Sequence, residues 1–231
     1  MTNAYTQEYY GLHQSGSQRS ADEIVPLILG LIQPASVVDV GCGVGAWLAA
    51  FARHGVSDVY GIDGDYVDRV MLQIGADRFL SHDLKEPIQL HRRFDLVVCL
   101  EVADSLPEQH TATLIDSLAG LGPVIVFSAG IPYQGGSNHV NEQWPEYWAK
   151  HFSAKGYVPV DCLRTKIWRD QTVEWWYAQN ILLFVEQTYL ASSKALQIEA
   201  EKTSRPLLSL IHPKRYLEAV FLPRLAREAA E

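Results

Sequence analysis

The segment VVDVGCGVGAW, residues 37–47, combines a short apolar run with three glycines at alternate positions. Asp39 lies inside the apolar run, and Gly41, Gly43 and Gly45 follow it. Glycine adopts positive φ without steric penalty and lets a ligand approach the backbone closely. In open parallel sheets, ligands bind at the carboxyl ends of the strands. The segment therefore predicts a strand, a ligand-binding turn and the start of a helix.

The flanking sequence alternates between strand-like and helical patterns. Short apolar runs typical of buried strands occupy residues 36–40, 58–63, 78–83, 94–101 and 123–130. Helical apolar spacing is found at residues 21–32, 45–55, 65–75, 107–122 and 145–156, and two late strands are predicted at 157–164 and 180–187. Such alternation indicates right-handed βαβ units and a parallel sheet covered on both faces. We therefore predict an α/β fold, Rossmann-like and doubly wound, with a mostly parallel seven-stranded sheet.

The composition and charge limit the classes of function expected for this chain. The 231 residues are 48% hydrophobic, enough for one sizeable core, and the net charge of −8 lacks the basic surplus typical of nucleic-acid binding. The three cysteines have no CxxC spacing, which favours buried reduced thiols. Neither a signal-peptide core nor an apolar run of about 20 residues is present, so we expect a cytoplasmic protein without membrane or nucleic-acid partners.

Three acidic residues follow the predicted strand ends. The glycine spacing departs from the dinucleotide fingerprint, and Asp39 would repel a pyrophosphate but suits a cation. Asp63 closes the next strand about 20 residues after the glycines, where an acid binds ribose hydroxyls. Asp83 closes the third strand and can accept a hydrogen bond from an adenine amino group. The ligand expected from this pattern has an adenosine half and a positive centre. The alternative is that the glycines and Asp83 serve only tight turns and that Asp63 is only a turn or helix-cap residue.

These motifs resemble the class I S-adenosylmethionine-dependent methyltransferases over residues 36–130. The matching stretches, in the family's order, are VVDVGCGVGAW, VYGIDGDY, SHDLKEP and FDLVVCLEVADSLPEQH. The resemblance implies S-adenosylmethionine as cofactor and the following contacts: the methionine part at Gly41, Gly43 and Gly45, the ribose at Asp63, the adenine at Asp83 and Leu84, and the methyl-transfer site at Glu101. The glycine spacing and the lack of a Tyr-x-x-x-Lys pair near the fifth strand disfavour a nicotinamide oxidoreductase.

The methyl acceptor is less well defined by sequence. Relatives commonly have EVAEHL where this chain has EVADSL, so Ser105 replaces a histidine and the prediction of a general base moves to His139. We predict His139 and Glu101 as catalytic residues, with a structural loop histidine as the alternative for His139. The expected acceptor is a small-molecule or saccharide hydroxyl. The alternatives are a nitrogen of a small metabolite and a non-catalytic cofactor-binding or partner-interaction module. No characteristic acid pair indicates a metal.

The two ends of the chain flank the methyltransferase domain predicted at residues 36–188. In proteins similar to this one the N-terminal region folds over the cofactor, so residues 1–35 are predicted to form a lid and the first helix. Tyr10 and Arg19 are its candidate cofactor contacts, and a surface arm is the alternative. Residues 189–231 are predicted to form a helical extension that packs on the domain or mediates a homodimer. Late aromatics, including Trp175, Trp176 and Tyr177, are candidates for a pocket wall or for the core.

Overall fold

The structure, a computed structural model, describes residues 7–136 and 138–219, with side chains from residue 15 onward. Its strands are β1 (Ser36–Val40), β2 (Asp58–Asp63), β3 (Phe79–Ser81), β4 (Leu96–Leu100), β5 (Val124–Ser128), β6 (Tyr157–Val160) and β7 (Leu182–Glu186). Its helices include α1 (Gln7–Leu29), α2 (Ala46–Arg53), α3 (Thr111–Leu121), α4 (Pro145–Ala154), α5 (Arg164–Ile167), α6 (Trp175–Asn180), α7 (Gln187–Ser192) and α8 (Lys194–Lys202). Residues 213–219 are also helical.

The strands form one seven-stranded sheet in the order β3-β2-β1-β4-β5-β7-β6. All neighbours pair in parallel except β7, which runs antiparallel to both β5 and β6. The predicted α/β, doubly wound, mostly parallel sheet is thus confirmed. The strand order reverses between β1 and β4, and such a switch point opens a cleft at the carboxyl ends of the strands.

Both faces of the sheet are buried, because successive residues of a strand point to opposite faces. Val37 and Leu96 belong to the core cluster that packs against α1 and α2, whereas Val38 and Val97 belong to the cluster that packs against α3 and α4. The central strands are therefore mostly apolar, with Asp39 near the end of β1 as a buried exception. This two-sided packing leaves only the strand ends free to carry functional side chains.

The helix predicted at residues 65–75 is wrong. This stretch forms turns and two short 3₁₀ segments, Arg69–Met71 and Ala76–Arg78. The Asp68 side chain accepts a hydrogen bond from the Val70 N–H, and the N–H of Gln73 donates to the carbonyl of Val44 at 2.8 Å. Local capping and a tertiary bond to the glycine loop thus replace the helical i→i−4 bonds.

The N-terminal helix is longer than predicted. It was expected to begin near residue 21 after a polar arm, but α1 begins at Gln7 and continues to Leu29 as one helix. Its C-terminal half carries Ala21, Ile24, Val25 and Ile28 into the core against α2. Most of the predicted lid segment is therefore helical and continuous with a core helix.

The C-terminal extension packs on the central domain. Leu196 and Leu208 are buried in the two core clusters, and the N–H of Ser209 donates to the Glu146 carboxylate at 3.0 Å. A homodimer through this extension remains a prediction. Within the described ranges, no helix has the length and apolarity needed to span a bilayer.

Candidate functional site

A cavity of about 1010 Å³ opens at the carboxyl ends of β1, β2 and β4. Its walls come from the glycine loop after β1, the ends of β2 and β3, the β5–α4 loop and helix α6. The predicted residues that line it are Asp39, Gly41, Gly43, Asp63, Asp83, Leu84, Glu101 and His139. Residues scattered along most of the central domain therefore meet at the switch point, where the fold class places ligands.

The glycine loop requires its glycines for both conformation and space. Gly41, Gly43 and Gly45 have φ angles of 82°, 53° and 86°, in the left-handed region. A Cβ on Gly41 would lie 2.2 Å from Cγ2 of Val102, which is too close for any side chain. The loop is anchored by the N–H of Gly41, which donates to the Ile62 carbonyl at 2.7 Å. It turns sharply between β1 and α2, and Gly45 precedes the helix rather than lining the cavity.

Asp63 connects the end of β2 to the glycine loop. Its Oδ2 accepts the Gly43 N–H at 2.6 Å, and its Oδ1 accepts the Gly64 N–H at 2.7 Å and the Tyr66 hydroxyl. The residue is 4% exposed, and burial raises the pKa of its carboxyl despite these donors. Each carboxylate oxygen can accept more than one hydrogen bond, so Asp63 can also bind a ligand in the cavity.

Asp39 is a buried carboxylate without a hydrogen-bond donor among the described residues. It is 3% exposed and lines the cavity. Burial, and secondarily the charge of Asp63, raise its pKa well above the usual range. A buried carboxylate is costly unless it meets a cation or a donor. Its position at the glycine loop therefore suits a positively charged group of a ligand.

The segment after β3 contributes one polar and one apolar side chain to the cavity wall. Asp83 is exposed, and its Oδ1 accepts the Lys85 N–H at 3.0 Å, which is an Asx-type turn. Leu84 is buried, and both residues line the cavity. The turn proposed as the alternative for Asp83 is present, and it leaves the residue facing the cavity.

Glu101 follows β4 in a strained backbone conformation, with φ of 55°. Its N–H donates to the Ser128 carbonyl at 2.9 Å, which ties the end of β4 to that of β5. Its carboxylate accepts hydrogen bonds from Asn180 on Oε1 and from Gln134 on Oε2, both at 3.2 Å. Burial, together with the charge of Asp104, raises the pKa of Glu101 to about 8.

His139 lines the cavity with two carboxylates behind it. Its Nδ1 lies 3.5 Å from Oδ2 of Asp104 and 3.3 Å from Oε1 of Glu142. Asp104 is 0% exposed, accepts the Gly130 N–H at 2.8 Å, and its pKa is raised by burial. A Cβ on Gly136 would lie 2.6 Å from Nε2 of His139, so this glycine leaves room for the ring. Nδ1 thus faces two carboxylates, and Nε2 lies against Gly136 in the cavity wall.

The β5–α4 loop that carries His139 is held by Glu142. The two oxygens of this carboxylate accept the main-chain N–H groups of Tyr133 and Gly135, each at 2.7 Å. Tyr133 and Asn138 have positive φ, which is uncommon for residues other than glycine. The histidine therefore lies on a loop whose backbone Glu142 binds at two positions.

The remaining candidates, from α1 and α6, differ in whether they line the cavity. Helix α1 contributes Ser17, whose Oγ lies 3.1 Å from the Tyr177 hydroxyl. Arg19 pairs instead with Glu174 at 2.9 Å and does not line the cavity. The side chain of Tyr10 is outside the described residues. Trp175, Trp176 and Tyr177 do form part of the wall.

Sequence analysis missed the residues that hold Glu101. Gln134 and Asn180 are far from it in sequence, and neither belongs to a motif with a recognisable spacing. Asn180 ends α6, just before β7, and only the antiparallel pairing of β7 with β5 brings it beside Glu101. Within the described ranges, no group of three or more His, Cys, Asp or Glu side chains could hold a metal ion.

Comparison with known proteins identifies the family. A family model described as a methyltransferase domain matches residues 13–151, more than half of the chain. This protein belongs to that methyltransferase family. A curated relative, the magnesium-protoporphyrin O-methyltransferase of Synechocystis, is 29% identical to this methyltransferase over 117 residues, which are 46% of this chain. The alignment spans 49%, about half, of that relative.

Solved structures share the fold. The crystal structure of the Synechocystis magnesium protoporphyrin IX methyltransferase with bound S-adenosylmethionine has a TM-score of 0.56 and 22% identity, covering 80% of this chain and 86% of that one. A sugar N-methyltransferase from Streptoalloteichus has a TM-score of 0.60 and 17% identity, covering 80% and 97%. An amino pentose methyltransferase from Micromonospora echinaspora, with bound S-adenosylmethionine, has a TM-score of 0.57 and 16% identity. The match covers 81% of this chain and 100% of that one.

S-adenosylmethionine is bound in the solved Synechocystis and Micromonospora structures, and the lining of this cavity suits that molecule. A Cβ at Gly41 would collide with Val102, so only glycine allows the loop to pack this closely at the cavity. Asp39 is a buried carboxylate facing the cavity, which suits the ammonium of the methionine part, and Asp63 retains acceptor capacity for hydroxyl groups. These carboxylate acceptors therefore match the ammonium and hydroxyl groups that the cofactor presents.

Proposed function

We propose that this methyltransferase transfers the methyl group of S-adenosylmethionine to a hydroxyl oxygen of a small molecule or saccharide. The observation that carries the proposal is the arrangement of His139. Its Nδ1 faces the carboxylates of Asp104 and Glu142, while the ring lines the same cavity as the glycine loop and Glu101. A histidine held in this way is equipped to accept a proton from an acceptor in the cavity.

The cofactor is assigned to the half of the cavity formed by the ends of β1, β2 and β3. In this proposal the glycine loop packs the methionine part, and Asp39 faces its ammonium. Asp63 accepts hydrogen bonds from the ribose hydroxyls, while Asp83 and Leu84 border the adenine. The burial of Asp39 and the fixed hydrogen bonds of Asp63 support these roles, since preformed acceptors bind a ligand without reorganisation.

Methyl transfer to a hydroxyl requires a general base and accurate positioning of the acceptor. When bound, S-adenosylmethionine supplies a methyl group on a positively charged sulfur, which is an electrophile for in-line displacement. Nε2 of His139 takes the proton of the acceptor hydroxyl, and Asp104 with Glu142 stabilises the resulting imidazolium through Nδ1–H. A positioned general base contributes a factor of about 10²–10⁴ in rate. The fixed backbone of the β5–α4 loop keeps the ring in one orientation.

The cavity favours an acceptor of small-molecule size. Its volume, about 1010 Å³, is at the upper end of the usual range for small-molecule sites, so cofactor and acceptor can share it. Trp175 and Trp176 offer flat apolar surfaces typical of sites for rings or sugars. Relatives named for porphyrin and sugar substrates support this size class. Because one relative is a sugar N-methyltransferase, an amine acceptor is the alternative.

The test is an acceptor screen with methyl-labelled cofactor. Sugars, amino sugars, phenols and carboxylic acids would be incubated with the parent protein and with His139→Gln. The exposed His54, near the end of α2, supplies the control variant His54→Gln. We expect O-methyl product from the parent and the control, and a loss of about 10²-fold or more in His139→Gln. A methyl on nitrogen, or full activity in His139→Gln, would overturn the proposal.

A further inference from the structure

Large apolar side chains are exposed along two segments of the chain, the β5–α4 loop and the C-terminal extension. Within the described ranges ten large apolar side chains are exposed, and seven of them belong to residues 133–144 and 207–217. These seven are between 40% and 86% exposed. Single apolar side chains scattered over a surface are normal, whereas a group of them marks an interaction site.

Two hydrogen-bonded contacts hold these segments side by side. At one contact, the Glu146 carboxylate accepts the N–H of Ser209 at 3.0 Å and also its hydroxyl. At the other, the guanidinium of Arg215 donates to the main-chain carbonyl of Tyr133. Six of the exposed apolar residues lie within two positions along the chain of these contacts, and we call them the rim surface. Its members are Tyr133, Trp144, Leu207, Ile211, Tyr216 and Leu217.

Basic side chains without ionic partners surround the rim surface. Two of them flank Trp168, whose carbonyl lies 2.9 Å from Nε2 of His212 in the extension. The acidic neighbours are Glu146, which Ser209 binds, Asp170 and Glu218. The region is thus basic on a chain whose net charge is −8. The side chains that form no ion pair with a described carboxylate are Lys166, Arg169, Arg205, Lys214 and Arg215.

Exposed apolar and aromatic side chains beside unpaired cations suit the surface of an anionic membrane. Tyrosine and tryptophan favour the headgroup level, because each has an apolar ring and a polar edge. Lysine and arginine near such a surface are attracted by the anionic headgroups. A second copy of the chain on the same surface would bring the basic groups of both copies together, and their repulsion disfavours it.

We infer that the rim surface docks this methyltransferase on an anionic phospholipid bilayer, with the β5–α4 loop at the level of the headgroups. The same loop lines the cavity at Gln134 and His139, so docking places the cavity beside the bilayer surface. Docking of this kind needs no spanning helix, so the lack of a long apolar run in the sequence does not count against it. It goes beyond the proposed methylation and depends on no particular acceptor.

Vesicle co-sedimentation tests the role of charge. The full chain would be mixed with vesicles of phosphatidylcholine alone and with vesicles that also contain phosphatidylglycerol. We expect binding only to the anionic vesicles, weakened by salt, because salt screens the attraction. Lys214→Glu should lower the partition coefficient about tenfold or more, since an anion replaces a cation at the anionic surface. Lys194→Glu, at an exposed lysine of α8, is the matched control and should bind like the parent.

A second pair of variants tests the apolar contact. Leu217→Ser should lower the partition coefficient about tenfold, because the bilayer no longer buries this side chain. Val70→Ser, at a residue that is 92% exposed in another part of the chain, should bind like the parent. Brominated phospholipid in the anionic vesicles would report on the loop, because bromine quenches tryptophan fluorescence at close range. We expect quenching in the parent and clearly less in Trp144→Phe.

Weaker vesicle binding by Lys214→Glu and Leu217→Ser, with both controls like the parent, supports membrane docking. Equal binding to neutral and anionic vesicles, binding to neither, or equal effects in rim and control variants would overturn it. Undiminished quenching in Trp144→Phe would overturn the placement of the loop. A dimer in sedimentation velocity that Leu217→Ser dissociates, without vesicle binding, would assign the surface to a second copy. These measurements need neither cofactor nor acceptor, so failure of docking is separable from failure of the proposed O-methylation.

Discussion

The main-chain N–H of Gly43 donates to Oδ2 of Asp63 at 2.6 Å. This hydrogen bond joins the loop after β1 to the end of β2, two structures that adjacent parallel strands bring side by side. Asp63 therefore supports the glycine loop in addition to facing the cavity. We therefore expect its substitution to lower cofactor affinity both through the loop and through the proposed contact with the ribose.

Asp63→Asn tests this double role. The amide nitrogen of asparagine is a donor, so it would face either the Gly43 N–H or the Gly64 N–H and leave one buried donor unpaired. We expect S-adenosylhomocysteine binding, measured by calorimetry, to weaken at least about tenfold. We also expect the free energy of unfolding to fall by about 1–3 kcal/mol. Asp77→Asn, on an exposed side chain, is the control. Unchanged affinity in Asp63→Asn would exclude the ribose role.

Gly41→Ala tests the close approach of the loop to the segment after β4. Both Gly41 and Gly55 have positive φ, but a Cβ meets Val102 at 2.2 Å only at Gly41 and meets nothing within 4 Å at Gly55. Gly55→Ala should lose about 1–2 kcal/mol of stability from backbone strain alone. Gly41→Ala should lose more, together with cofactor binding. Urea denaturation and calorimetry measure both quantities, and equal effects in the two variants would contradict the steric argument.

The buried carboxyl groups predict an unusual pH dependence of stability. Glu101 has a pKa of about 8 in the folded protein against 4.5 in an unperturbed glutamate, so the native state retains a proton that the unfolded chain releases. Between these values the free energy of unfolding should therefore fall as pH rises, by up to about 1.4 kcal/mol per pH unit. Asp39, Asp63 and Asp104 act in the same direction.

Glu101→Gln isolates the contribution of this residue. Urea denaturation of the cofactor-free protein at several pH values should give a flatter profile in the variant than in the parent. Glu23→Gln, on an exposed face of α1, should leave the profile unchanged. Parallel profiles for the parent and Glu101→Gln would mean that Glu101 ionises normally in the folded protein.

Arg164→Met tests how firmly the C-terminal extension is attached. The substitution leaves the Asp161 carboxylate without its buried partner, and the carbonyls of Gln179 and Leu208 lose their donor. Breaking a buried ion pair costs about 3–5 kcal/mol, so the thermal midpoint should drop markedly. Arg169→Met, at an exposed position on the same stretch, should change it little. A midpoint equal to that of the control would show that the extension is held by other contacts.

Sequence alone determined the central sheet, because buried parallel strands have local signatures. The run 36–40, with Asp39 inside it, and the strand 58–63, which ends at Asp63, are rich in β-branched residues, and both form as predicted. Alternating glycines can be interpreted without a structure, since positive φ is a property of single residues. The resemblance to the methyltransferase family rests on these local patterns.

The two helix predictions that were wrong also reflect the limits of local patterns. Residues 65–75 have helical spacing, but the N–H of Gln73 bonds the Val44 carbonyl, a partner that no local pattern identifies. Tertiary hydrogen bonds of this kind override weak helical propensity. The long α1 was missed because its polar first half lacks an apolar stripe.

Only the tertiary structure decided the methyl-transfer half of the site. Glu101, Gln134 and Asn180 meet because β7 inserts antiparallel beside β5, and His139 reaches Asp104 because the β5–α4 loop folds back over β4. Hydrogen bonds between residues distant in sequence depend on packing, which has no short-range period. A strand and its turn are local and can be predicted from sequence, whereas a constellation of polar groups is set by the whole fold.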